Sequence, residues 1–168
     1  MTDVVTAYIA LGANLGDPRR TVEESILALD ALPRSRLLRA SSLYRTAPVG
    51  FLAQPDFINA VAAISTALPP RDLLALLLAR ENEYGRVRSY SDAPRVLDLD
   101  LLLYGETRLY QPDAYPAIIL PHPRLHLRAF ALLPLAEIAP PDLLLPGCGK
   151  LSAWLPAVAS QAYGVHRL

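Results

Sequence analysis

Asp98 and Asp100 stand one residue apart in a run where every odd position from Leu97 to Leu103 is leucine. Read as a strand, the two-residue period sends the leucines into a core and throws both acids onto the opposite face, about 6–7 Å apart. At an effective dielectric of about 20, like charges at that distance repel by roughly 2.5 kcal/mol, and in open water by well under 1. The pair is therefore costly only in a cleft. A divalent cation would keep both acids ionised there, and carboxylate oxygens suit Mg²⁺ bound beside a substrate phosphate. The plainer alternative is a solvated strand end whose acids discourage edge pairing. Against it stand Arg86, Arg88 and Arg95, three guanidinium groups in ten residues opposed only by Asp92. They make a local anion site directly before the acids, the arrangement that phosphoryl chemistry needs.

These side chains require a frame. Residues 4–11 are apolar and β-rich and lead into a cluster of turn formers at 12–18, which lacks the Gly-Lys-Ser/Thr ending of a P-loop. A helix is expected from Pro18 or Arg19 to Leu32, capped by Asp17, with Val22, Ile26 and Leu29 on one face and Pro33 as its stop. A strand over 36–46 and a loop with two prolines and exposed apolar residues follow. On the next strand, 57–66, Phe57, Asn59, Val61 and Ala63 share one face and Ile58, Ala60, Ala62 and Ile64 the other. Asn59 either bonds a neighbouring loop or reads the edge of a flat heterocycle while Phe57 stacks on its face.

Residues 70–84 have a proline-led first turn, a stripe of Leu73, Leu74, Leu77 and Leu78, and Gly85 as the stop of a helix. Glu81, near that helix's end, opposes the macrodipole, which points to a nearby arginine or ligand or else to a solvated acid. A strand pair is expected from 107–110 and 117–120. His122, between Pro121 and Pro123, is held rigidly and can donate to phosphate, although a lone histidine is often structural. Arg128 and Phe130 begin a helix over 127–138, at its anion-favouring end. A short extended piece, a turn at Gly147 to Gly149 and a helix around 151–160 complete the chain, whose last residues carry no readable motif. The order strand, helix, strand, strand, helix, strand predicts the α+β class. It is a ferredoxin-like βαββαβ core, an antiparallel sheet backed by helices, with C-terminal strand and helix additions.

At 168 residues and 52% hydrophobic content, one domain spanning 1–168 is expected. Sixteen basic and sixteen acidic residues cancel, so nothing global attracts nucleic acid or an anionic membrane. Cys148 is the single cysteine, which excludes an intrachain disulfide and fits a reducing compartment. The N-terminus shows no basic leader and no apolar run is long enough for a membrane span, so a cytoplasmic protein is expected.

Several stretches in order are then specific: Ala7-Tyr8-Ile9-Ala10-Leu11-Gly12-Ala13-Asn14-Leu15-Gly16; Ser41-Ser42-Leu43-Tyr44-Arg45-Thr46 with Gln54-Pro55-Asp56-Phe57-Ile58-Asn59-Ala60; Gly85-Arg86-Val87-Arg88; Pro94-Arg95-Val96-Leu97-Asp98-Leu99-Asp100; and Pro121-His122-Pro123 with Arg128. Together they resemble the 6-hydroxymethyl-7,8-dihydropterin pyrophosphokinase family over nearly the whole length. The resemblance implies transfer of the terminal pyrophosphoryl unit of ATP to the pterin's hydroxymethyl oxygen, leaving AMP. Asp98 and Asp100 would bind two Mg²⁺ ions, and Arg86 and Arg95 would stabilise the transferred group. His122 and Arg128 would hold ATP phosphates, with Glu81 paired to the loop arginines and Arg88 and Leu101 also on the nucleotide side. Phe57 and Phe130 would sandwich the pterin, Asn59 would bond its edge, and backbone near Gly12, Thr46, Ala47 and Val49 would complete its slot. A monomer binding only these two substrates is expected.

The chain departs from the family in the loop between the arginine motifs. That loop is one residue shorter, with Ser89, Tyr90 and Asp92 where members often carry a tryptophan and a lysine, and Tyr90 is the candidate lid. Leu78 replaces an adenine-side glutamine of some members, and Ala117 or Ile118 an arginine. Loops at 49–54 and 86–94 are long enough to close over two substrates, ordered first by ATP with Mg²⁺. Competing expectations are a ferredoxin-like nucleotide- or RNA-binding module without turnover, which lacks the clustered Lys/Arg-Gly-Phe signature of RNA platforms, and a ligand-sensing domain with structural Mg²⁺.

Overall fold

The computed structural model describes residues 3–50, 52–85 and 94–168. In chain order it forms β1 (Val5–Ala13), α1 (Pro18–Leu29), β2 (Ser35–Ala40), β3 (Tyr44–Thr46), β4 (Phe57–Thr66), α2 (Pro70–Glu83) and β5 (Asp98–Tyr104). There follow a hairpin of β6 (Leu109–Gln111) and β7 (Ile118–Leu120), α3 (Ala129–Ile138), a hairpin of β8 (Leu144–Leu145) and β9 (Gly149–Lys150), α4 (Leu151–Trp154) and β10 (Val165–Arg167). The main sheet runs β10, β3, β4, β1, β5, with β2 also on β4, and all its pairings are antiparallel. The fold is mixed α/β, an antiparallel sheet with helices.

The two faces of β4 fall as its alternation predicts. Ile58, Ala60, Ala62 and Ile64 join Ile9 and Leu11 against Val22, Ile26 and Leu29 of α1 and Leu73 and Leu77 of α2. Val61 and Ala63 meet Leu132, Leu135 and Ile138 of α3, with Leu151 and Val158 beyond. Each fully buried leucine stabilises by roughly 1.5–3 kcal/mol relative to exposure, so the sheet is clamped from both sides. Among the described residues no helix is long and apolar enough to cross a membrane.

Side chains that replace backbone partners explain most departures from the expected elements. The strand expected over 36–46 is broken: Ser41 accepts the Val61 amide on Oγ at 2.9 Å and donates its own amide to Val61 O at 2.8 Å. Glu137 of α3 then takes Ser42 Oγ and Tyr44 OH, each at 2.7 Å. Asp17 caps α1 through the Arg20 amide at 3.2 Å, as expected. That helix ends at Leu29 rather than Leu32, where Asp30 turns its carboxylate to the Leu37 amide at 2.8 Å.

Other departures come from pairing. β1 continues through Gly12 and Ala13, expected as turn, because Gly12 has a partner on each side, Asn59 and Asp98. On β5 the register slips by one residue between Leu101, opposite Ile9, and Leu103, opposite Tyr8. Leu102 is the extra residue of a bulge, so Leu103 leaves the face it was expected to share with Leu97, Leu99 and Leu101 and joins the α3 side. The helix expected over 127–138 starts at Ala129, after a 3₁₀ turn at Leu125–Leu127. After the short α4, a 3₁₀ segment, Pro156–Gly164, leads into β10, which pairs with β3 at the sheet edge.

Candidate active site

Gly12 sits between Asn59 of β4 and Asp98 of β5, and this row of three strands carries a slot of about 510 Å³. All seven residues expected on the pterin side line it: Gly12, Thr46, Ala47, Val49, Phe57, Asn59 and Phe130. Asn59 is buried, and its Nδ2 donates to Thr46 Oγ1 at 2.9 Å. The two readings of this asparagine are thus compatible, since the bond to a neighbouring strand fixes the amide at the slot. Arg124, Gln161, Gly164 and Val165 also line the slot, none of them marked by the sequence.

A second cavity, about 920 Å³, runs along the outer edge of β5 between α2 and β7. Leu74 and Leu78 wall it on one side, Ala117 and Ile118 on the other, and Asp98, Asp100, Leu101, Glu81 and His122 line it. Glu81 is 1% exposed, and its Oε1 accepts the Leu99 amide at 2.7 Å, which explains an acid near a helix end. Leu99's amide thus faces away from β1, and the two-residue period turns that of Leu101 the same way.

His122 is placed by the bulge. Its amide donates to Leu102 O at 2.8 Å, and its Nδ1 accepts the Arg124 amide at 3.1 Å. In the neutral ring the proton therefore resides on Nε2. Burial, then Arg128 and Arg124, push the imidazole pKa down to about 4 against the opposing pull of Asp98.

Asp98 lines both cavities. Arg95 holds it with an Nη1 to Oδ2 distance of 3.2 Å, and Asn14 holds Arg95. The Asn14 side chain, 2% exposed, accepts the Arg95 amide at 2.8 Å and donates to Gln54 Oε1 at 2.8 Å and Pro55 O at 3.0 Å. The sequence showed Asn14 only as a turn former. Arg128 lines the slot rather than the cleft, its guanidinium 5.4 Å from the centre of the Phe130 ring. Burial and Arg124 lower its pKa while Asp100 and Asp98 raise it, so both acids act on it. Among the described residues no group of three or more His, Cys, Asp or Glu is placed to hold a metal. Arg86, Arg88, Ser89, Tyr90 and Asp92, and with them most of the expected 86–94 lid, lie outside the described residues.

A slot with aromatic walls and a larger cleft, meeting at one carboxylate with arginines around it, define a two-substrate transferase. The chain belongs to the 7,8-dihydro-6-hydroxymethylpterin-pyrophosphokinase family, whose sequence model matches residues 8–140. It is 45% identical over 161 residues to the 2-amino-4-hydroxy-6-hydroxymethyldihydropteridine pyrophosphokinase of Pseudomonas aeruginosa, covering 96% of this chain and 95% of that one. To the enzyme of the same name from Haemophilus influenzae it is 44% identical over 143 residues, 85% and 86% of the two chains. In structure it resembles wild-type Plasmodium falciparum HPPK-DHPS solved with pteroate, with a TM-score of 0.74 at 12% identity over 96% of this chain. This chain spans 44% of that longer one, and the likeness concerns the fold.

Proposed function

We infer that the slot takes 6-hydroxymethyl-7,8-dihydropterin, the cleft takes ATP, and the pyrophosphoryl group crosses between them beside Asp98. By its family the chain is an enzyme, an ATP-dependent pyrophosphokinase of folate biosynthesis. The observation that carries the assignment of the cavities is that Asp98 lines both. In this reading Phe57 and Phe130 stack on the pterin faces, and Asn59 with the backbone of Gly12, Thr46, Ala47 and Val49 bonds its edge.

Asp98 and Asp100 would hold Mg²⁺. Two carboxylates suit a hard cation that takes its other ligands from phosphate oxygens and water. The metal, two ions in this reading, would supply charge to offset the triphosphate and Lewis acidity toward the attacking hydroxyl. His122 donates Nε2–H to a phosphate, Arg128 lends its charge from the slot side, and the Leu101 amide faces the nucleotide. Arg86 and Arg95 would stabilise charge on the group in flight, and Arg88 and Glu81 would act on the nucleotide side. Residues 49–54 and 86–94 close to keep water from the reactive phosphate.

We read the chain as a monomer, one unit over residues 1–168, working in the cytoplasm; both cavities lying on one chain fit the monomer. The sheet order, with β2 and β3 counted as one broken strand and β10 added at the edge, supports the ferredoxin-like reading of the core. Calorimetry with the pterin and a non-hydrolysable ATP analogue tests the assignment. Phe130→Ala should weaken pterin binding by about tenfold or more and leave the nucleotide unaffected, and Asp100→Asn should do the reverse. A swapped pattern would overturn it.

A further inference from the structure

The family match ends at residue 140, yet residues beyond it form one side of the slot. Gln161, on the surface in the 3₁₀ segment before β10, places its Oε1 3.1 Å from the Ala129 amide and its Nε2 2.9 Å from the carbonyl oxygen of Leu127. One primary amide therefore bridges the peptide groups on either side of Arg128, as a neighbouring strand would. The Ala129 amide belongs to the first turn of α3, whose donors have no partner within the helix, and Arg128 at the capping position supplies no side-chain cap. Arg128 itself is extended, at φ −123° and ψ 112°, which makes the break between the 3₁₀ turn and α3.

We propose that Gln161 is a positioning residue for the reaction: its bridge locks the backbone of Arg128, so that the guanidinium and the Phe130 ring are held at the slot, which Asp98 also lines. Without the bridge the chain is free to run on as helix from Leu127, which rotates both side chains away. The role needs a donor and an acceptor on one planar group. A glutamate keeps the acceptor for Ala129 and gains from the helix dipole, but offers Leu127 O nothing. The proposal rests on the reading of the slot as the pterin site.

The test uses the full chain with Gln161→Ala, Gln161→Glu and, as a reference for the slot, Phe130→Ala. Melting temperature, kcat and the KM of each substrate are measured at pH 8. Gln161→Ala should raise the pterin KM by about three- to tenfold, the effect of one or two lost hydrogen bonds. Gln161→Glu should recover the melting temperature but leave the pterin KM raised. Recovery of both by the glutamate reduces Gln161 to a helix cap and overturns the proposal. An unchanged pterin KM in both Gln161 variants, with Phe130→Ala raising it, overturns the proposal and leaves the slot reading standing. An unchanged pterin KM in Phe130→Ala removes the slot reading and the proposal with it.

Discussion

Asn59 Oδ1 occupies the space in which a β-carbon on Gly12 would stand: built ideally, that carbon lies 2.7 Å from the oxygen. The two residues face each other across β1 and β4, and Thr46 holds the amide from its other end. Glycine at position 12 is thus what lets the amide lie flat against the strand and face the slot.

Gly12→Ala must push that amide aside. Overpacking of this kind costs typically 1–3 kcal/mol, so the melting temperature should drop by roughly 2–12 °C. The pterin KM should rise about tenfold or more while the ATP KM changes little. Steady-state kinetics and thermal melts check this, and an unaltered pterin KM would count against the amide as a pterin contact.

His122 gives the free enzyme an acid-side signature. An unfolded histidine titrates near 6.5, and burial with Arg128 and Arg124 brings the folded one to about 4, so between those values the unfolded chain binds more protons. The histidine's contribution to stability is full above about pH 6.5 and is lost as pH falls towards 4. Denaturant melts over that window should show the decline, and His122→Asn should flatten it. A slope that survives the substitution assigns the decline elsewhere. Bound triphosphate should raise the same pKa, so calorimetry near pH 5.5 should record proton uptake with the nucleotide.

Asn14 joins three segments that are far apart in sequence, and Asn14→Ala takes their side-chain partner from the part-buried Arg95 amide and the Pro55 carbonyl. Each lost bond costs about 0.5–1.5 kcal/mol. Melts should show a clear loss of stability, and kcat should fall with Arg95 displaced from Asp98. A variant of unchanged kcat would mean that Arg95 is held by other contacts.

What the sequence made legible was local. Alternation on β4 and at Leu97, Leu99 and Leu101 is a two-residue pattern, and the site residues came in contiguous motifs. The bulge at Leu102 was hidden because Leu101-Leu102-Leu103 is uniformly apolar, so a one-residue slip breaks no pattern. The interruption after β2 depends on Ser41 standing in for backbone, and Asn14 and Gln161 owe their roles to partners many residues away. Glu81 lies between these cases: its place near a helix end marked it as unusual, and only the fold supplies the Leu99 amide.

Asp98→Asn and Asp100→Asn should each reduce turnover by about a thousandfold or more, with small shifts in melting temperature, because neither side chain belongs to either apolar cluster. A chelator should stop the wild-type enzyme and added Mg²⁺ should restore it. Near-normal turnover by a well-folded Asp98→Asn protein would remove that acid from the proposed metal site.

Two phosphoryl units move at once in this reaction, and the nucleotide left behind reports it directly. Incubation with ATP, Mg²⁺ and 6-hydroxymethyl-7,8-dihydropterin, followed by chromatography of the nucleotides, should yield AMP in step with the pterin diphosphate. ADP in its place would mean ordinary kinase chemistry, and no turnover would mean a binding protein; either result would rule out pyrophosphoryl transfer.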